Sequence, residues 1–223
     1  MRRNIYLMTM LVSALVVASL LLYWDKTLTI AIISLSEYLP PKAVPLINRV
    51  ISRAAHWTIT LFFLIWGTLY FRKFEGRKIG LNLLYAVLAA GLGYAISQLI
   101  QSVWDKPRPF VVLGISPLTA HKPDPAFPSD YAVVCYAFAT ALTALNRRAG
   151  GVGFAVATAV SLARVYSRLH WVADVFLGGL AVGVGAGIAL ATFWGWLACR
   201  ISALRWWLPR NQQDTPTTSS ETP

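Results

Sequence analysis

Residues 174–197, DVFLGGLAVGVGAGIALATFWGWL, open on one aspartate and then contain no other charged residue. An α-helix needs about 20 mainly apolar residues to cross a hydrocarbon core, so this run reads as a transmembrane helix. Gly179, Gly183 and Gly187 recur every four residues along it, with Gly178 and Gly185 nearby. Such a face of small residues suits close packing against another helix of a bundle, or dimerisation, and the spacing does not choose between them.

Working outward, comparable runs occur near 4–23, 55–71, 79–100, 130–146 and 151–168. Together they predict an all-α, polytopic membrane bundle of six transmembrane helices. Composition agrees: 57% of the 223 residues are apolar and only 13% charged, far from a soluble domain. The formal charge of +11 is read as topology signals and contacts with anionic lipid, because the basic residues gather beside the apolar runs. No basic stripe lies on a soluble domain, so no nucleic-acid partner is expected. Cys135 and Cys199 lack metal-ligand spacing, and no metal or cofactor is expected.

The first run, after Met1-Arg2-Arg3, is read as an uncleaved signal anchor. Residues 24–54, broken by Pro40, Pro41 and Pro45, are read as interfacial helices forming a lid or collar. Residues 1–209 are expected to form one membrane domain, and the polar stretch 210–223 a disordered tail. With the amino terminus cytoplasmic, short basic loops at 72–78 and 147–148 fall inside, as the positive-inside rule requires. The long segments 24–54 and 101–129 and the connection near 168–174 then face outward from the cell (inner) membrane.

Three polar clusters share that outer side: QSVWDKPRPF at 101–110, FPSDY at 127–131 and ARVYSRLHWVAD at 163–174. Ionisable groups at membrane depth are costly and tend to be functional. His170 and Asp174 are four apart, which on a helix lets the carboxylate fix the imidazole tautomer. Arg108 and Arg164 suit phosphoryl oxygens. Ser129, at the amino end of the fourth run, lies where free backbone N–H groups favour an anion. Taken alone, Ser129 and Asp130 are equally ordinary helix caps.

The sequence Arg108-Pro109, then Pro128-Ser129, then Arg164, five residues, His170, three residues and Asp174 resembles the three-part signature of the type-2 phosphatidic acid phosphatase superfamily. RPF followed by FPSD is most similar to its BcrC-type undecaprenyl-pyrophosphate phosphatases. The resemblance implies a metal-independent membrane lipid phosphatase in which His170 attacks phosphorus and Asp174 orients it. It assigns phosphate binding and charge stabilisation to Arg108, Ser129 and Arg164. Gln101 stands where the family carries lysine, with Lys106 as a nearby positive charge, and Asp130 replaces the usual glycine; by the same resemblance all three, with Tyr131, are expected to line the substrate phosphate. Tyr131 replaces the histidine that gives a proton to the leaving group. His121 is the substitute acid to consider.

Tyrosine has a reference pKa of about 10 and is a weak acid near neutrality. A lipid phosphate leaving a diphosphate, with a second pKa of about 6, departs almost unaided. The expected substrate is therefore a polyprenyl diphosphate, hydrolysed to the monophosphate. A lipid phosphotransferase, a broader lipid phosphate phosphatase and a decayed site that only binds lipid phosphate are the other readings. The oligomeric state is not legible in the sequence.

Overall fold

In the computed structural model, residues 2–35, 38, 76–145 and 147–207 are described. The helices are α1 (Arg2–Ser34), α2 (Gly76–Val103), the short α3 (Pro109–Val112), α4 (Asp130–Leu145), α5 (Arg147–Tyr166) and α6 (Leu180–Trp207). A π-helical turn, Asp174–Gly179, leads directly into α6. There is no strand among the described residues. This is an all-α membrane bundle: four stretches, Val12–Ser34, Leu84–Val103, Arg147–Tyr166 and Asp174–Trp196, are long and apolar enough to cross a bilayer. Asp130–Thr143 is a shorter apolar helix. The run expected at 55–71 and the tail at 210–223 lie outside the described residues.

One boundary needs correction. The first helix does not stop at residue 23 but continues through Ser34, so 24–34 extend a span instead of beginning a collar. Nothing in Asp25-Lys26-Thr27 breaks a helix, and Asp25 and Thr29 fall on one buried face. The remainder of that expected collar, 39–54, lies outside the described residues.

The chain divides into two units, Met1–Leu190 and Ala191–Pro223. In the first, the interior is built from small side chains: Ala89, Ala132, Ala137, Ala139 and Ala157 are fully buried, while Leu84, Val87, Leu88 and Leu92 of α2 face outward. That inside-out distribution suits lipid, where helices associate by close backbone approach rather than by hiding large apolar groups from water. The glycines of the π-helical turn and α6 show the same logic. A Cβ at Gly179 would meet Ala132, at Gly183 the carbonyl of Val133, and at Gly187 the side chain of Thr140. Of the two uses left open for this face, intramolecular packing against α4 is the one the structure contains. In the second unit, Phe193 and Trp196 stack, and Arg200 lies over the Trp196 ring.

The carboxyl end of α5 positions the site. Arg168 adopts φ 68°, a left-handed conformation usually left to glycine. Its N–H donates to the Val165 carbonyl at 2.9 Å, and the Leu169 N–H donates to the Arg164 carbonyl at 3.2 Å. This pair of bonds is a Schellman motif, which satisfies the last helix carbonyls and turns the chain sharply. Arg147 starts α5 and Arg164 nearly ends it, so the basic Arg147-Arg148 pair and the site are separated by roughly 25 Å of helix.

Candidate active site

His170 lies in the turn between α5 and the π-helical segment, not on a helix with Asp174 as the four-residue spacing predicts. The ring is buried. Its Nδ1 lies 2.9 Å from the carbonyl of Ala126, and a carbonyl only accepts, so Nδ1 carries the proton. Nε2 is left with its lone pair, 3.1 Å from Arg108 Nη1 and 3.4 Å from Arg164 Nη2. Burial, then the charges of Arg164 and Arg108, hold the His170 pKa well below the ordinary imidazole range. The ring is therefore neutral at pH 7 and presents a nucleophilic nitrogen between two guanidinium groups.

Asp174 reaches this nitrogen only indirectly. Its Oδ2 stands 3.8 Å from His170 Nδ1, beyond hydrogen-bond range. The same oxygen accepts the Trp171 N–H at 2.8 Å, while Oδ1 accepts from Lys106 Nζ at 2.7 Å. Asp174 thus satisfies a backbone donor at the start of its own helical segment, reaching back three residues as in a capping box. The atom that fixes the His170 tautomer is the Ala126 carbonyl, a contact no side-chain pattern announces.

Lys106 is occupied behind the histidine rather than in front of it. Besides Asp174 it pairs with Asp25 of α1 at 3.1 Å, and its ammonium lies near the rings of Phe127 and Trp171. Asp25 Oδ1 in turn accepts the Ala173 N–H at 2.7 Å, and Thr29 Oγ1 accepts the Val172 N–H at 3.0 Å. Sequence reasoning missed both residues. The signal was present: a carboxylate and a hydroxyl four apart at one end of an apolar helix lie on one face.

Gln101 and Asp130 meet each other. Gln101 Nε2 donates to Asp130 Oδ1 at 2.9 Å and to the Pro128 carbonyl at 2.9 Å. Asp130 also accepts from Ser97 Oγ and, at 3.1 Å, from Gln98 Nε2. Gln101 and Asp130 therefore join α2 to the start of α4, and both polar groups are spent on the protein.

Arg108 is buried and held on every side. Nε donates to the Asp124 carbonyl and carboxylate at 3.0 and 2.8 Å, Nη1 to the Leu169 carbonyl at 2.8 Å, and Nη2 to the Pro125 carbonyl at 3.1 Å. Arg164, also buried, lies with its guanidinium 4.2 Å from the centre of the Tyr131 ring, in cation–π geometry. Its Nε has no hydrogen-bond partner among the described residues, and neither does the fully buried Ser129 Oγ. Ser129 does not use its hydroxyl as a helix cap. Instead its N–H donates to the Asp174 carbonyl at 3.1 Å and its carbonyl accepts the first α4 bond, from Val133 N–H, at 2.9 Å.

Buried polar atoms normally find partners, so the unpartnered Nε of Arg164, on the guanidinium that faces His170 Nε2, marks a place for an anionic ligand, and Ser129 Oγ is a second buried donor in reserve. The arrangement can bind a phosphoryl group and present nitrogen to its phosphorus. Among the described residues no group of three or more His, Cys, Asp or Glu is placed to hold a metal.

Known proteins are similar to this chain. The PAP2 superfamily matches residues 81–204, more than half of the chain. The bacitracin transport permease protein BcrC of Bacillus licheniformis is 26% identical over 154 residues, 69% of this chain and 73% of that protein. The undecaprenyl-diphosphatase BcrC of Bacillus subtilis (strain 168) is 31% identical over 123 residues, 55% of this chain and 62% of that protein, less than two thirds of its length. Among solved structures, LpxE of Aquifex aeolicus shares the fold at a TM-score of 0.58 and 19% identity, covering 75% of this chain and 94% of that one. The transmembrane PAP2-type phosphatidylglycerolphosphate phosphatase from Bacillus subtilis does so at 0.56 and 18%, covering 83% and 94%. With the family match running from α2 to α6, through the helices that build the site, the chain belongs to the PAP2 superfamily.

Proposed function

We propose that the protein hydrolyses a polyprenyl diphosphate, of the undecaprenyl class, to the monophosphate through a phosphohistidine on His170. The observation that carries this reading is the placement of His170 Nε2, deprotonated and within 3.4 Å of both Arg108 and Arg164. In the first half-reaction Nε2 attacks the terminal phosphorus, the bond to the bridging oxygen breaks, and the lipid monophosphate leaves with the electron pair. Arg164 and Ser129, with unspent donors, bind the transferring oxygens, and the arginine charge counters negative charge in the transition state. Arg108 holds the nucleophile and the loop around it. Water then releases phosphate from the histidine.

Substrate class is supported by Tyr131 and by the diphosphatase relative. The Tyr131 ring is packed against Arg164, and its phenol is a weak acid beside a leaving group that hardly needs one. We place the site at the outward face of the cell membrane, with the amino terminus cytoplasmic, because the basic loops lie at the opposite helix ends.

Phosphate release from polyprenyl diphosphate and from phosphatidic acid, by the native chain and His170→Ala, tests the reading. The native chain should prefer the diphosphate by more than about tenfold, and His170→Ala should release none. Equal or faster hydrolysis of phosphatidic acid overturns the substrate assignment. Transfer of label to an added lipid acceptor in place of water identifies a phosphotransferase. No turnover by either the native chain or Tyr131→His identifies a decayed site.

A further inference from the structure

A phosphohistidine must be hydrolysed, and the groups described so far leave that step without a base. Asp174 is engaged by Lys106 and the Trp171 N–H, Asp130 by Ser97, Gln98 and Gln101, and Asp124 by Arg108. The Tyr131 ring is packed on the Arg164 guanidinium. His121 is different. Its Nδ1 lies 2.9 Å from the Lys122 carbonyl and 3.3 Å from Asp124 Oδ1. A carbonyl and a carboxylate both accept, so Nδ1 carries the proton and Nε2 the lone pair.

This repeats the arrangement of His170, whose Nδ1 faces the Ala126 carbonyl with Asp174 nearby. The two rings are linked through a short path. His121 and Arg108 both touch Asp124 Oδ1, at 3.3 and 2.8 Å, and Arg108 Nη1 is 3.1 Å from His170 Nε2. The peptide that carries His121 also supplies the carbonyls of Asp124, Pro125 and Ala126 that hold Arg108 and His170. His170 is shut away from solvent with 3% of its side chain exposed, whereas His121 keeps 23%, so water reaches the second ring.

We propose that His121 is the catalytic base of the second half-reaction, drawing a proton from the water that attacks the phosphoenzyme. The proposal rests on the reading of His170 as nucleophile. As the water oxygen bonds to phosphorus, its proton passes to His121 Nε2. The P–N bond breaks, its electron pair returns to His170 Nε2, and inorganic phosphate leaves. The His121 imidazolium then loses its proton to solvent. Burial pulls the His121 pKa below the usual 6.5; the Lys122 carbonyl raises it, Arg108 lowers it, Asp124 raises it and Arg164 lowers it. The free base is thus the prevailing form at neutral pH, as this role needs.

The test uses the full chain in detergent and a polyprenyl diphosphate radiolabelled in its terminal phosphate. In His121→Ala and His121→Gln, steady-state turnover should fall about a hundredfold. The initial burst of labelled protein should persist and then accumulate, because the first half-reaction does not use His121. The native rate should decline as pH drops below 6.5, and both variants should lose that limb. Turnover within about threefold of native, or loss of the burst together with turnover, overturns the proposal. His170→Ala separates the two readings: if it still turns over, the nucleophile assignment fails and the second half-reaction proposed for His121 fails with it. If His170→Ala is inactive, an acid limb retained in both His121 variants overturns the role of His121 alone.

Discussion

Arg108 and Arg164 are both buried arginines beside one imidazole nitrogen, and the sequence gives them the same duty. Their surroundings differ. Arg108 donates to three backbone carbonyls and a carboxylate, so its planar fork builds the loop that carries His121 and the carbonyl under His170. Arg164 rests on the Tyr131 ring with Nε unpartnered among the described residues. A guanidinium saturated by the protein is architecture. One with donors in reserve, inside a site of low dielectric, is available for a ligand whose charge changes during reaction.

The sharpest way to break this contrast is to remove each charge at nearly constant volume. Arg164→Met should lower kcat/KM by about a thousandfold while the unfolding midpoint holds or rises, since an under-satisfied buried charge has gone. Arg108→Met should lose comparable activity and also several degrees of unfolding midpoint, because the Pro125 and Leu169 carbonyls lose their donor at about 1–3 kcal/mol each. Similar midpoints for both variants would erase the distinction between ligand-directed and structural arginine.

Lys106→Met sharpens the same question behind the histidine. Lys106 touches Asp174 and Asp25, not the face of His170 that receives phosphorus, so kcat should drop about tenfold to a hundredfold with KM nearly unchanged. A rise in KM alone would return Lys106 to the phosphate-binding set. The smallest effect is expected at the α5 turn. Arg168→Gly relieves a left-handed non-glycine residue worth about 1 kcal/mol, partly offset by the lost contact with the Ser116 carbonyl. The midpoint should rise by a degree or two in thermal unfolding, with activity unchanged.

The helices were legible because bilayer thickness writes itself into long uncharged runs, and α2, α4 and α5 end within a few residues of where those runs end. The beginning of α6 was less so: Asp174–Gly179 winds as a π-helical turn, a local widening with no periodic signature in six residues. The site was legible as a list of residue types and not as a set of partners. Spacing paired His170 with Asp174, but the imidazole proton goes to a backbone carbonyl 44 residues away. The family resemblance gave Lys106, Gln101 and Asp130 to the substrate, whereas each is bound by another side chain. A one-dimensional pattern records that a charge is needed and does not record whether protein or ligand consumes it.

The contacts from α1 redraw the smallest working unit of this protein. The family pattern begins at residue 81, yet Asp25 and Thr29 accept the N–H groups of Ala173 and Val172, and Asp25 also neutralises Lys106. A fragment trimmed to the shared segment would leave two buried peptide donors without their acceptors, at about 1–3 kcal/mol each, and Lys106 with Asp174 but without Asp25 as a carboxylate partner. The amino-terminal helix is therefore a structural cofactor supplied in cis, and two separately expressed pieces should regain function only when the first brings that carboxylate back to its place.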